Sequence, residues 1–386
     1  MLNKHKGAYA REWMILEQKI CHNEQKYGHD NQVITECLDK FGDLLDNMLN
    51  DHWIDIAFFK RALLIWEKYR GSFHPETAEI LNNMGYLSKR SGELTAAQAY
   101  YERALAIWET VFGLEHPDVA AALNNLGALL RAMGNTTGAK LYYSQALEIW
   151  EKASGTVHPH TASALNNLGV VYKELGEFTK SEQYMERALV IWQDCLGMEH
   201  PEVAAGWNNL GDLRRCMGDL SGAQFCFERA LDIQSGWLNE NHPEKATTLN
   251  NLGALLCTME APEQAKKHLD QALVIRNTVL GTAHPETAHT LRNLGWWHKT
   301  TGEMEVAFEY LSEALGIFTR IYGPEHIETA RSHRDLALLH CYLGKLPEAE
   351  YHLNQAEPVF CCFLGFDHAE TRALRQTVQT TLRPAL

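Results

Sequence analysis

Eight histidines stand 42 residues apart, at His74, His116, His158, His200, His242, His284, His326 and His368. Imidazoles in register are the first place to look for metal or acid–base chemistry. The spacing argues against both, because each ring sits on its own loop one repeat from the next, too far to share a metal. Capping and loop packing are the work it implies. Nine cysteines are scattered from Cys21 to the pair Cys361-Cys362 with no C-x-x-C, so neither a structural zinc site nor a disulfide framework fits. Reduced, mostly buried thiols are expected. There is no Gly-rich phosphate loop, H-E-x-x-H or G-x-S-x-G. His333 with Asp335, or His289 with Cys257, can be paired on paper, but nothing specifies a nucleophile. No catalytic residue, no metal and no cofactor is expected.

Binding chemistry keeps the same register. Nine residues after each His stand Asn83, Asn125, Asn167, Asn209, Asn251 and Asn293, then Asp335. Eight residues after stand Asn82, Asn124, Asn166, Asn208 and Asn250, then Arg292 and Arg334. Fifteen residues after stand Lys89, Arg131, Lys173, Arg215 and Lys299, interrupted by Cys257 and Cys341. Asn is a mediocre helix former, so its repetition in mid-helix needs a reason. A carboxamide offers both donor and acceptor, which matches one peptide unit in both directions.

The elements that carry these residues follow from the same period. Pro follows His at 75, 117, 159, 201, 243 and 285, where a first helical turn loses nothing by lacking an N–H. Helical spacing of Ala120, Leu123, Leu126 and Leu130 gives one helix, ended at Gly134 by a residue suited to positive φ. Ala139, Tyr143, Ala146, Leu147 and Trp150 give a second. Gly127 and Ala146 let the two approach closely. One such pair cannot bury its apolar face alone, so neighbours must stack. Trp66, Trp108, Trp150 and Trp192, at one phase of the second helix, read as packing residues.

Leu126-Gly127, Gly134, Ala139, Tyr143 and Ala146, with Leu168-Gly169-Val170-Val171-Tyr172 in the next unit, resemble the tetratricopeptide repeat. The 42-residue period and His-Pro-x-x-Ala-x-x-Leu-Asn-Asn-Leu-Gly resemble the kinesin light chain variety. The resemblance implies an all-α, right-handed superhelical solenoid of about eighteen helices. Residues 1–27 would form a half-repeat or capping helix, 28–73 a divergent repeat, 74–367 seven repeats of 42, and 368–386 a C-terminal capping helix. Kinesin light chains place a heptad coiled coil ahead of their repeats, and the segment up to Tyr27 is too short for one, so motor attachment is not expected.

The family fold points residues 5, 8, 9, 12, 15 and 16 after each His into a concave groove. There the Asn row at position 9 is placed to hold an extended chain, while the Asn at position 8 is placed to bridge adjacent helices. At roughly 1 kcal/mol net per hydrogen bond, six rungs give on the order of 6 to 10 kcal/mol. Association costs about 4 to 15 kcal/mol, so anchors must supply selectivity. The basic line Lys89 to Lys299 suits an acidic segment in a chain of net charge −14. Equally, cations at that position suit the helix C-terminus. A second cluster, His289, Arg292, Trp296 and Lys299 followed by Arg331, Arg334 and Asp335, could seat a carboxylate or phosphate beside an apolar group. Drift at the end of the array is the competing reading.

The expected function is a scaffold or adaptor holding a protein or peptide segment, acidic with an aromatic anchor. The alternative is a small-molecule or enzymatic site around Arg292 and Trp296. An acidic chain without a basic block excludes duplex nucleic acid as a natural partner. No run approaches a membrane span, and no apolar stretch follows Lys4 and Lys6 to make a secretory signal, so a cytoplasmic location is expected.

Overall fold

The computed structural model describes residues 2–28, 32–50, 56–239, 241–366 and 368–382, and their regular structure is entirely helical. The chain divides into two compact units, 1–129 and 130–386. Through the first run α1 (Leu2–Tyr27), α2 (Gln32–Asn50), α3 (Ile56–Tyr69), α4 (Pro75–Arg90) and α5 (Leu94–Phe112), and the division falls inside α6 (Pro117–Ala132). The second holds α7 (Thr136–Ser154), α8 (Pro159–Glu174), α9 (Phe178–Leu196), α10 (Pro201–Met217), α11 (Leu220–Trp237) and α12 (Pro243–Thr258). It continues with α13 (Pro262–Val279), α14 (Pro285–Thr301), α15 (Met304–Tyr322), α16 (Ile327–Tyr342), α17 (Leu346–Phe363) and α18 (Ala369–Leu382). No described helix is long and apolar enough to cross a membrane.

Each 42-residue period is one antiparallel hairpin. Its first helix begins where the phased His turns Nδ1 back onto the backbone N–H two residues on, as at Glu202 (3.2 Å) and Glu286 (3.1 Å). All eight phased rings make this bond, so the capping role read from the spacing holds at every copy. The first helix of α10 stops at Gly218, whose φ of 85° is open to glycine at little cost. The equivalent position one repeat later is Glu260, and it adopts φ 58° without that freedom.

Within a hairpin the helices touch because the first carries Gly where the second carries a large side chain. A Cβ on Gly169 would lie 2.6 Å from Met185, and one on Gly253 would lie 2.7 Å from Leu269. In the second unit α8, α10, α12, α14 and α16 each pack on the helix that follows and on the one before, and α8, α10, α12 and α14 also touch one another in a row. Trp66, Trp108, Trp150 and Trp192 are buried at the hairpin junctions. At the same phase Gln234 and Arg276 replace the aromatic and are buried as well. Arg276 is satisfied by Glu286 (carboxylate 2.7 Å, carbonyl 2.6 Å), Thr290 and Thr247.

The cysteines depart from expectation. Only Cys37 and Cys226 are fully buried, while Cys21, Cys195, Cys216 and Cys362 are exposed. Their short side chains fall on outward helical positions that the repeat leaves unpacked.

Candidate functional site

The Asn pairs form a seam between first helices. Asn209 Nδ2 donates to Asn166 Oδ1 (3.0 Å), Asn251 to Asn208 (3.1 Å) and Asn293 to Asn250 (3.0 Å), always across 43 residues. In the first unit Asn125 donates to Asn82 in the same way (2.8 Å). The position-8 amide therefore bridges adjacent helices, as one of its readings required. The position-9 amide departs from its reading: one N–H is spent inside the wall rather than held for a ligand. Asn125, Asn209, Asn251 and Asn293 stay half-buried, each keeping a second N–H and a carbonyl oxygen. Asn83 and Asn167 occupy the matching turns of α4 and α8.

The seam does not stop where the Asn pattern stops. Arg292 and Asp335 stand at positions 8 and 9 of α14 and α16, again 43 residues apart, with Arg292 Nε 3.5 Å from Asp335 Oδ2. An ion pair takes the place of the amide pair. Asp335 is 1% exposed and also receives both Nε and Nη2 of Arg334 on Oδ1. Arg334 and Arg331 share Glu370 at the start of α18 (2.9 and 2.7 Å). Arg331 reaches back to Glu328 (2.6 Å), which binds Arg292 (2.8 Å) and faces His289 (3.7 Å). Burial by itself would raise the Glu328 carboxyl, but Arg331, Arg292 and His289 hold it well below the usual range. Burial likewise works against the Glu370 carboxylate, and Arg331 and Arg334 win, so its pKa is lowered. His289 is pushed down by burial and stays neutral near pH 7.

The expected pocket is thus a built network whose cations already have carboxylates. His289, Arg292, Arg331, Arg334 and Asp335 come together in it. Trp296 and Lys299 stand beside it: the Lys299 ammonium lies 4.2 Å from the Trp296 ring and 5.9 Å from that of Tyr342. Burial lowers the Lys299 pKa in spite of the Asp335 charge.

The basic line also departs from an open row of anchors. Arg131 binds Glu174 (2.9 Å), and Lys173 and Arg215 both bind Asp212 (Arg215 at 2.7 Å). Burial would raise Asp212, yet Lys173 and Arg215 hold it well below the carboxylate range. Lys89 lies half-buried in the last turn of α4. An acidic ligand must share or displace these internal carboxylates. The acids that the sequence reading passed over, Glu174, Asp212, Glu328 and Glu370, are the partners. Glu328 and Glu370 sit two residues after a phased His, where Glu76, Glu202, Glu244 and Glu286 read as ordinary first-turn acids. Their link to Arg at positions 5 and 8 of the previous unit was the missing signal.

Among the described residues no group of three or more His, Cys, Asp or Glu is disposed to hold a metal ion. The tetratricopeptide repeat model matches in seven overlapping stretches: 56–110, 78–152, 118–193, 160–236, 202–275, 244–318 and 299–361. The chain belongs to the tetratricopeptide repeat family. Its fold is similar to the Rap conjugation gene regulator of plasmid pLS20, solved with the Phr* peptide, at TM-score 0.64 and 14% identity over 94% of this chain and 99% of that one. It is also similar to a Rap protein complexed with Competence and Sporulation Factor, at TM-score 0.61 and 14% identity over 92% and 98%. Kinesin light chain TPR-like repeats from Podosopora anserina match at TM-score 0.41 and 21% identity, over 53% of this chain and 97% of that one. A comparison with curated protein sequences gave no match.

Proposed function

We propose that this tetratricopeptide solenoid is a scaffold that binds an extended, acidic protein or peptide segment along the row of first helices. One observation carries the reading. In the second unit that row gathers Arg131, Lys173, Arg215, Arg292, Lys299, Arg331 and Arg334 against Glu174, Asp212, Glu328, Asp335 and Glu370, within a chain of net charge −14. A local positive excess inside an acidic protein steers and orients an anionic partner. The second N–H and the oxygen of half-buried Asn125, Asn209, Asn251 and Asn293 can pair with its backbone. Lys299, set between Trp296 and Tyr342, offers a cation and two apolar walls for the side-chain anchor. That a Rap regulator of this fold is solved with a bound peptide agrees with the reading.

The test is fluorescence anisotropy of a labelled peptide of six glutamates and one tryptophan. Binding that weakens as salt rises, and about tenfold in Lys299→Gln/Arg215→Gln, is expected. Equal affinity for the hexalysine counterpart removes the acidic partner, and no binding of either removes the site.

A further inference from the structure

The second unit bends far enough for its last repeats to meet its first. His326 Nδ1 accepts the Glu328 N–H (3.2 Å), which fixes the proton of the neutral ring on Nε2. That nitrogen stands 2.8 Å from the carbonyl oxygen of Ala132, the last residue of α6. One repeat later His368 Nδ1 accepts from Glu370 (3.3 Å), and its Nε2 stands 3.1 Å from the carbonyl oxygen of Glu174, the last residue of α8. Both contacts span 194 residues, so they are one relation repeated, not an accident of one loop. The acceptors are helix-end carbonyls that have no partner within their own helix. Beside them the Phe363 ring lies on the backbone of Gly134, so close that a Cβ there would come within 2.8 Å of it. Glu370 is also within electrostatic reach of Arg215.

This contact is of a different kind from the hairpin packing around it. Among the described residues it holds two imidazole hydrogen bonds, one ring on a glycine and a longer-range charge pair, and the aliphatic clusters on its two sides, around Leu165 and Met185 and around Leu353 and Phe360, do not join across it. Interfaces so sparse open at low free energy while the surrounding elements stay folded.

We propose that α16 to α18 form a clasp that reversibly closes the second unit on the ends of α6 and α8, and that its opening admits an extended segment to the first-helix cations. The clasp stands on its own; the access it controls rests on the peptide-binding reading above.

His326→Asn/His368→Asn separates the two jobs of each ring, because Asn is a good N-cap but too short to reach the distant carbonyl. His200→Asn, at a ring whose cap is the same (3.2 Å), is the matched control. Hydrogen exchange of the intact chain should rise roughly tenfold or more at the ends of α6 and α8 and the starts of α16 and α18 in the double variant, and in Phe363→Ala. His200→Asn should leave those segments unchanged. Exchange equal to wild type in both clasp variants overturns the clasp, as does an equal rise in His200→Asn. The hexaglutamate-tryptophan peptide should then associate several-fold faster with the double variant. An unchanged rate alongside faster exchange overturns the gating while the clasp stands. Failure of every protein to bind the peptide discards the peptide reading, and the exchange result alone decides the clasp.

Discussion

Between α8 and α14 the first helices are joined by paired carboxamides; between α14 and α16 the same two helical positions are joined by the ion pair of Arg292 and buried Asp335, and α16 is joined to α18 by Arg331 and Arg334 on the partly exposed Glu370. Both seams solve one packing problem, since positions 8 and 9 of neighbouring repeats must meet and each must bring a partner. The amide pair is self-complementary and neutral, so it can be copied from repeat to repeat without accumulating charge. Ion pairing gives up that indifference. Asp335 loses almost all its water, and Arg292 and Arg334 make that tolerable. The difference teaches that the Asn repetition is first an architectural device, and that sensitivity to pH and salt is concentrated where it is replaced.

The strongest attempt to break this contrast removes one member from each seam. Asp335→Ala takes away the buried carboxylate that Arg292 and Arg334 share and leaves them Glu328 and Glu370, and about 3 kcal/mol of stability should be lost. Asn251→Ala removes one neutral bond and orphans Asn208 Oδ1, for about 1 to 2 kcal/mol. Urea denaturation followed by Trp fluorescence measures both. Equal losses would mean that the ionic seam is solvated and no different in kind.

Acid should sharpen the contrast next. His333, His340 and His352 cluster on α16 and α17, with His333 Nδ1 2.8 Å from His352 Nδ1 and His340 stacked on His352. Burial lowers all three, and His352 is pushed down to about 4, its imidazole neighbours adding to the effect. Lys345 and Glu348 are the charged groups near His340. The unfolded chain takes up these protons first, so stability is complete above about 6.5 and falls as pH drops toward 4. Glu328 and Glu370, held low, add stability present above about 4.5 and lost below it. The amide seam has no titrating member, and the stability that Asp212 on α10 adds is lost only at still lower pH. Hydrogen exchange at pH 7 and pH 5 should therefore show α16 to α18 loosening while α10 and α12 hold. Uniform loosening would place the acid-sensitive groups elsewhere.

Much of this was legible before any coordinates. The period of 42 placed the hairpins from α4 to α17, and the phased His, with Pro behind it at six of the eight copies, located the start of each first helix. Local chemistry is what a sequence states plainly: a cap needs only the two residues that follow it. The seam was half legible. Asn at positions 8 and 9 announced that something repeated needed a donor and an acceptor, but whether the two faced a ligand or each other depends on a distance between residues 43 apart. The basic line misled for a related reason. Lys173 and Arg215 read as a row of cations because their shared acid, Asp212, sits at a position where the other repeats carry Tyr86, Ala128, Val170, Ala254, Trp296 and Leu338. Partners supplied by a neighbouring helix at irregular positions leave no periodic trace. The contact of His326 with Ala132 depends on curvature summed over several repeats, which no local pattern encodes.

Salt should give the smallest effect and the cleanest division. Glu370 is partly open to solvent, and its pairs with Arg331 and Arg334 are those that counterions can reach. Raising ionic strength from about 0.01 M to about 1 M shortens the screening length from roughly 30 Å to roughly 3 Å. Half-exposed pairs then lose on the order of 0.5 kcal/mol each, while neutral amide bonds lose nothing by screening. Amide exchange in α18 should accelerate several-fold in the high-salt sample relative to exchange in α12, with α12 as the internal reference. A constant ratio would show that Glu370 holds α18 through packing and hydrogen-bond geometry, not through charge, and the two seams would then differ only in the chemistry of the atoms at Asp335.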